Sequence, residues 1–199
     1  MCTRRLFLAF FASSLGGCAS SRDPRESGLV MAERPNLVYQ VFAGPNPRFE
    51  RRVVQIKTAE LPGTIIIDTN TRLLYYLEEQ WLAIEYGVGV GRQGFEWSGV
   101  ANVKSMTEWP TWTPPAEMIA RDPSLAKYAN GMPGGPDNPL GARALYLFAN
   151  GADTYYRIHG TNHPETIGQA VSSGCIRMRN DDAIDLYQRV ALGAKVIVL

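Results

Sequence analysis

The chain has 199 residues, 45% of them hydrophobic and 20% charged, with a formal net charge of +1. That length holds one well-buried domain with an appendage, and the composition is ordinary for a globular protein. No basic surface of the kind that binds polyanions is indicated, so nucleic acid is not an expected partner.

The chain opens with targeting features. Residues 6–16, Leu-Phe-Leu-Ala-Phe-Phe-Ala-Ser-Ser-Leu-Gly, form a short apolar run behind Arg4 and Arg5. The run is about half of what a bilayer-spanning helix needs, so residues 1–17 read as a removable leader. Leu15-Gly16-Gly17-Cys18 resembles a bacterial lipobox, in which Cys18 is lipidated and becomes the new N-terminus; an ordinary cleavage site beside an incidental cysteine is the plainer alternative. Thr3-Arg4-Arg5-Leu6-Phe7-Leu8 also resembles the twin-arginine export motif, although Ala9 sits where a lysine is common. The expected location is the periplasm, with a membrane contact through lipidated Cys18. Cys2 then leaves with the leader and Cys18 is acylated, so Cys175 is the sole free thiol. An unpaired thiol in an oxidising compartment favours a reactive role over a structural one.

Residues 19–36 are polar and aperiodic, as expected of a flexible spacer. Leu37 to Phe42 has strand composition, but Pro45, Pro47 and the charged Arg48 to Arg52 interrupt, so residues 18–61 read as a lipid-anchored extension laid on the domain. The domain proper spans 62–199. Thr64 to Asp68 is a buried strand by its β-branched run, and Arg72 to Glu78 returns across a turn as a hairpin. Trp81 to Val90 is a third strand. It ends in Gly87-Val88-Gly89-Val90-Gly91, a β-bend rather than a phosphate loop, because no Lys-Ser/Thr and no helix follow.

Val100 to Trp109 is a further strand, stopped by Pro110. Residues 116–121 form a helical turn or two, and Gly131 to Gly141 is a long irregular loop of the kind that shapes a site. Trp109, Trp112 and Met118 either line a groove there or pack beneath the loop. Ala144 to Ala149 and Thr154 to His159 are strands around a turn. Asn180-Asp181-Asp182 is expected to cap and start a helix to about Val190, with Ala183, Leu186, Tyr187 and Val190 as its apolar stripe. Lys195 to Leu199 closes the chain as a strand. Seven or so strands and one clear helix make a mainly β domain.

The chemistry concentrates between Arg157 and Asn180. His159 precedes Cys175 by fifteen intervening residues, and each lies against glycine. Period-2 reading places Tyr155, Arg157 and His159 on one face, with Tyr156 and Ile158 on the other. Cys175, Arg177 and Arg179 share a face in the same way, with Ile176 and Met178 turned inward. A cysteine and a histidine facing one cleft are the parts of a thiolate nucleophile and its base, and a nearby imidazole or guanidinium is expected to raise the thiolate fraction. The N–H of Cys175, with that of Gly174 or Ser173, suits an oxyanion hole. His163, followed by proline, reads as an exposed rim residue. His159, His163 and Cys175 could instead be three zinc ligands, but Gly160 and Pro164 argue against the helix that their spacing would need; no metal is expected. Arg177 suits either a substrate carboxylate or a pair with Asp181 or Asp182.

His159-Gly160-Thr161-Asn162, followed by Ser173-Gly174-Cys175-Ile176-Arg177-Met178-Arg179-Asn180, resembles the L,D-transpeptidase (YkuD-type) catalytic domain. Pro62-Gly63-Thr64-Ile65, Pro110 to Pro114 and Gly134 to Gly141 extend the likeness over residues 62–199. Many members have His-Gly-Cys where this chain has Ser173-Gly174-Cys175. The resemblance implies a β-sandwich with a catalytic cleft and a cysteine acyltransferase of the cell wall, also acylated by carbapenems, that needs no cofactor. It implies Cys175 as nucleophile, His159 as base, and the Gly160 backbone carbonyl orienting the imidazole, with Arg177, Asn162 and Trp112 as substrate-binding residues. The implied substrates are peptidoglycan stem peptides. The acceptor is an amine of another stem, giving a 3–3 cross-link, or a wall-anchored protein. Transfer to water, as an L,D-carboxypeptidase or cysteine peptidase, and a non-catalytic wall-binding lipoprotein are the alternatives.

Overall fold

A computed structural model describes residues 48–93 and 97–199 in full, with the backbone of residues 29–34 and 37–42. The leader (1–17), Cys18 and residues 19–28 of the spacer lie outside the described residues. In chain order the elements are β1 (Leu29–Arg34), β2 (Leu37–Phe42), β3 (Arg52–Lys57), β4 (Ile65–Asp68), β5 (Leu73–Glu79), β6 (Leu82–Gly87), β7 (Val90–Gly91), β8 (Gly99–Glu108), helix α1 (Ala116–Arg121), β9 (Arg143–Ala149), β10 (Ala152–His159), β11 (Ala170–Ser172), β12 (Ile176–Arg177), helix α2 (Asn180–Arg189) and β13 (Lys195–Val198). The protein is mainly β with few short helices, as expected. The strand count was underestimated because β7, β11 and β12 are two or three residues long and carry no apolar run of their own.

Eleven strands form one sheet in the order β1-β2-β3-β6-β5-β4-β13-β8-β9-β10-β12. The C-terminal strand β13 inserts at its centre, parallel to β4 and antiparallel to β8. β4 shows why the isoleucine run is there. Ile65 and Ile67 point into the main core while Ile66 points into a second cluster behind the sheet, so the strand is buried on both faces. The main core joins Tyr86 of β6, Leu147 of β9, Ile158 of β10 and Leu186 of α2, so the two arms of the sheet meet across one apolar interior. Gly89, just past β6, exchanges two backbone hydrogen bonds with Arg177 of β12, at 2.9 and 2.8 Å. The glycine run is thus a bend that stitches one arm to the other, and β7 pairs with β11 beside it.

Two expectations about the N-terminal segment change. Residues 29–34, read as part of a flexible spacer, form β1 and pair with β2. β3 is not merely laid on the domain: it pairs with β6 and buries Val54 and Ile56 against Leu73, Tyr75 and Leu77. The alternation in Arg52 to Lys57 is regular, and the prolines and charges just before it hid the pattern. The helix cap also differs. Arg179, not Asn180, occupies the N-cap of α2, and no side chain caps it.

β3 is further anchored by charge. Glu85 of β6 is fully buried and Arg52 meets it at 2.6 Å. Burial pushes this carboxyl's pKa up, and the Arg52 bond and charge pull it back. Arg52→Met removes the ion-pair partner of that carboxylate, leaving it the Tyr75 hydrogen bond, and a loss of about 3 kcal/mol in urea unfolding is expected. Adding Glu85→Leu to this variant should recover most of the loss, whereas an unchanged midpoint in the single variant would show that the Arg52–Glu85 pair does not anchor β3.

Candidate active site

The register of two strands builds the site. β10 and β12 run parallel with Ile158 opposite Ile176 and His159 opposite Arg177, and Met178 N–H donates to the His159 carbonyl at 2.8 Å. Ile158, Ile176 and Met178 are buried in the core, which leaves His159, Cys175 and Arg177 on the other side of their strands. The expected alternation holds at Ile158, His159, Ile176 and Arg177, but Arg157 and Arg179 do not line the cleft: Arg157 pairs with Asp153 and Arg179 with Glu50. His159, Cys175 and Arg177 line a cleft of about 500 Å³, together with Trp112, Met118, Leu140, Tyr155, His163 and Ser173. That volume is ordinary for a site that takes a small ligand or a peptide end.

His159 is 5% exposed. Its Nδ1 lies 2.6 Å from the Gly160 carbonyl oxygen. A carbonyl only accepts, so Nδ1 carries the hydrogen and Nε2 keeps its lone pair. Burial drives the imidazole pKa down to about 4; the Gly160 bond opposes this, and the charges of Arg177 and Arg157 add to it. Gly160 itself is held by Asn180, whose Oδ1 accepts from the N–H groups of Ala142 and Thr161 at 2.9 and 3.2 Å. A Cβ at Gly160 would collide with that oxygen, so the position requires glycine. Asn180, expected to cap a helix, instead clamps the strand end that bears the histidine.

Cys175 is partly buried, and its sulfur lies 3.8 Å from the Tyr155 carbonyl oxygen, which accepts the thiol proton. Burial pushes the thiol pKa up, while the Arg157 amide and the charges of Arg157 and Arg177 pull it down. The expectation of an enhanced thiolate is therefore corrected. At rest the pair is a neutral thiol and a neutral imidazole, because burial outweighs the guanidinium groups. Ser172 shapes the loop before the cysteine: its Oγ donates to the Cys175 carbonyl at 2.6 Å and accepts from Gly174 N–H at 3.1 Å. Gly174, at φ +116°, takes a conformation that favours glycine. Its N–H is thereby engaged and cannot serve an oxyanion hole in this arrangement; the N–H groups of Ser173 and Cys175 have no partner among the described residues.

The remaining predicted residues divide. Trp112 reaches the cleft, held by paired backbone bonds to Met132 and a tilted contact with Tyr128. Met118 lines it as well, but Trp109 does not. Asn162 is not brought to the cleft either. Its Nδ2 donates to the Asp137 carbonyl at 2.9 Å, tying the Gly131 to Gly141 loop to the histidine strand. Arg177 is half-buried, and among the described residues it makes no ion pair; Asp182 faces Arg51 instead, at 3.8 Å. His163 is exposed, pairs with Glu165 at 3.0 Å and sits on the rim. Among the described residues no group of three or more His, Cys, Asp or Glu side chains is placed to hold a metal.

Two residues organise the site in roles that the sequence did not assign to them. Asn138 is fully buried; its Nδ2 donates to the carbonyls of Pro110, Met132 and Pro133 and its Oδ1 accepts from Leu140 N–H, fixing the cleft loop. Arg157 grips Asp153 with both of its outer nitrogens, at 2.7 and 2.8 Å.

The depressed His159 pKa has a stability consequence with a definite sign. An unfolded chain takes up a proton on this imidazole near pH 6.5, while the folded chain resists until about 4. Stability from this group is complete above 6.5 and is lost as pH falls to 4, by about 3 kcal/mol in all. In urea unfolding at pH 7 and pH 4, wild type should lose about that much more than His159→Gln. Parallel losses in the two proteins would contradict the buried neutral imidazole.

The family model described as the L,D-transpeptidase catalytic domain (YkuD) matches residues 62–198. A probable L,D-transpeptidase of Escherichia coli K12, ErfK/SrfK, is 36% identical over 143 residues, covering 69% of this chain and 44% of that protein. The chain thus spans less than half the length of that curated relative. A Brucella melitensis structure named as a probable carnitine operon oxidoreductase is 50% identical, with a TM-score of 0.53 over 77% of this chain and 96% of that one. Its name speaks for the Brucella protein. A mutant Enterococcus faecium L,D-transpeptidase, 17% identical, shares the fold with a TM-score of 0.51 over 68% of this chain and 49% of its own. With its fold and its cysteine–histidine cleft in place, the chain belongs to the L,D-transpeptidase (YkuD) catalytic domain family.

Proposed function

We propose that the chain is a peptidoglycan L,D-transpeptidase that works through an acyl-enzyme thioester on Cys175. The observation that carries this reading is the shared cleft in which a cysteine thiol accompanies an imidazole whose Nδ1–H is committed to the Gly160 carbonyl. In the first half-reaction His159 Nε2 takes the thiol proton as the sulfur attacks the carbonyl of the third residue of a tetrapeptide stem. The amide bond to the terminal D-alanine breaks, and the proton passes to the departing amine. In the second half-reaction an acceptor amine attacks the thioester, His159 removes its proton, and the thiol is restored as the new amide forms. The Ser173 and Cys175 N–H groups stabilise the oxyanion in both steps. Arg177, carrying its charge into the cleft without an ion-pair partner among the described residues, binds a stem carboxylate.

The site fits this chemistry better than metal-assisted hydrolysis, because the two histidines and the cysteine do not form a ligand cluster among the described residues. We further propose that the protein is exported to the periplasm and held at a membrane by lipid on Cys18; the sequence Leu15-Gly16-Gly17-Cys18 supports this. Among the described residues no helix is long and apolar enough to cross a membrane. The acceptor is a second stem or a wall-anchored protein.

Incubation of the protein with disaccharide-tetrapeptides, followed by chromatography and mass measurement of products, tests the reading. D-Alanine and 3–3 cross-linked dimers are expected, with none from Cys175→Ala. His159→Ala should slow turnover by about 10²–10⁴-fold, while His163→Ala stays within about threefold, as suits an exposed rim residue. Arg177→Ala is expected to raise KM more than it lowers kcat. Tripeptide with no cross-link would instead establish the carboxypeptidase alternative, and tetrapeptide bound but returned unchanged would establish a binding protein.

A further inference from the structure

β10 is irregular where it passes the nucleophile. Its register against β9 shifts between Asp153 and Arg157, and within that bulge Tyr155 has φ +60°. A bulky residue in the left-handed region is strained and persists only where its surroundings hold it. Packing of the tyrosine ring is not what holds it, because Tyr155 is 82% exposed.

The restraint comes from Asp153. Its Oδ1 accepts from Tyr155 N–H at 2.8 Å. Both its carboxylate oxygens are fixed by Arg157, at 2.7 and 2.8 Å, and the guanidinium lies 4.5 Å from the Tyr146 ring centroid. The Arg157 bond also keeps the carboxyl below its ordinary pKa. The bulge changes what β10 presents to the cleft. Arg157 stays opposite Tyr146 of β9, but residues 154–156 have no register partner there. Here the Tyr155 carbonyl accepts from the Cys175 thiol, and the Arg157 amide lies against the same sulfur. The groups left over by the bulge are met locally, with Thr154 Oγ1 donating to Leu147 and accepting from Tyr156 N–H.

We infer that Asp153 and Arg157 are positioning residues for the nucleophile: their ion pair locks the Tyr155 bulge so that the backbone of β10 cradles the Cys175 sulfur. This rests on the reading of Cys175 as the nucleophile. Neither residue touches substrate in this account, and both act through the backbone between them.

The test measures the rate of Cys175 acylation by a carbapenem, read as intact mass, beside the melting temperature of each protein. Asp153→Asn keeps the Oδ1 that accepts from Tyr155 N–H but loses the charge and one of the two Arg157 bonds, so acylation should fall between the rates of wild type and Asp153→Ala. Asp153→Ala releases the bulge, and a loss of about tenfold or more is expected from the displaced sulfur. Adding Tyr155→Gly to Asp153→Ala should restore most of the rate, since glycine takes a positive φ without cost and the lost ring is exposed. A purely structural role would instead make the rates follow melting temperature in all three variants, and that result overturns the inference. So does Asp153→Ala acylating at the wild-type rate. Wild type that is not acylated at all would overturn the nucleophile reading itself, and with it this role.

Discussion

The site depends on a parallel pairing only two residues long. β10 and β12 meet with Ile158 opposite Ile176 and His159 opposite Arg177. Side chains alternate along each strand, so a one-residue slip of either would send the histidine or the arginine into the core and an isoleucine into the cleft. So short a ladder does not hold such a register alone. The burial of Ile158, Ile176 and Met178 supplies the apolar penalty for slippage, and the Gly89–Arg177 bonds tie β12 to the opposite arm of the sheet. Asn180 fixes the far end, where its Oδ1 accepts from Thr161 N–H just after Gly160 and from Ala142 N–H beside β9.

Within that frame the electrostatics favour a quiet resting state. Burial raises the thiol and lowers the imidazole, so both groups are neutral and no ion pair forms before substrate arrives. A neutral imidazole with its lone pair on Nε2 is the form that accepts a proton, and it persists through the ordinary pH range. Proton transfer would then accompany attack on the carbonyl rather than precede it. The two nearby guanidinium groups favour developing negative charge on sulfur or oxygen more than they favour a resting thiolate.

Much of this could be read from residue order, and the rest could not, for physical reasons. The isoleucine run of β4, the apolar stripe of α2 and the alternation around His159 and Cys175 are local patterns with one dominant explanation each. β7, β11 and β12 are two or three residues long, too short to show a strand pattern in isolation, and they become strands only when a partner backbone is present. Asn180 carried a sound local argument for capping, yet tertiary hydrogen bonds to Ala142 and Thr161 claimed its side chain. The same holds for Gly174, whose N–H is taken by Ser172, and for Asn162, drawn to the Asp137 carbonyl. In each case a polar side chain or an amide had several local options, and the choice was made by a segment distant in sequence or by the conformation of the loop itself.

The claim that everything else serves is that Cys175 carries the acyl group. Intact-mass measurement of the protein, quenched during turnover of a disaccharide-tetrapeptide, tests it most directly. The account predicts a covalent adduct of the substrate less D-alanine, mapped to Cys175 and released by added amine acceptor or hydroxylamine. Turnover with no adduct at any quench time, or an adduct that persists in Cys175→Ala, would contradict it.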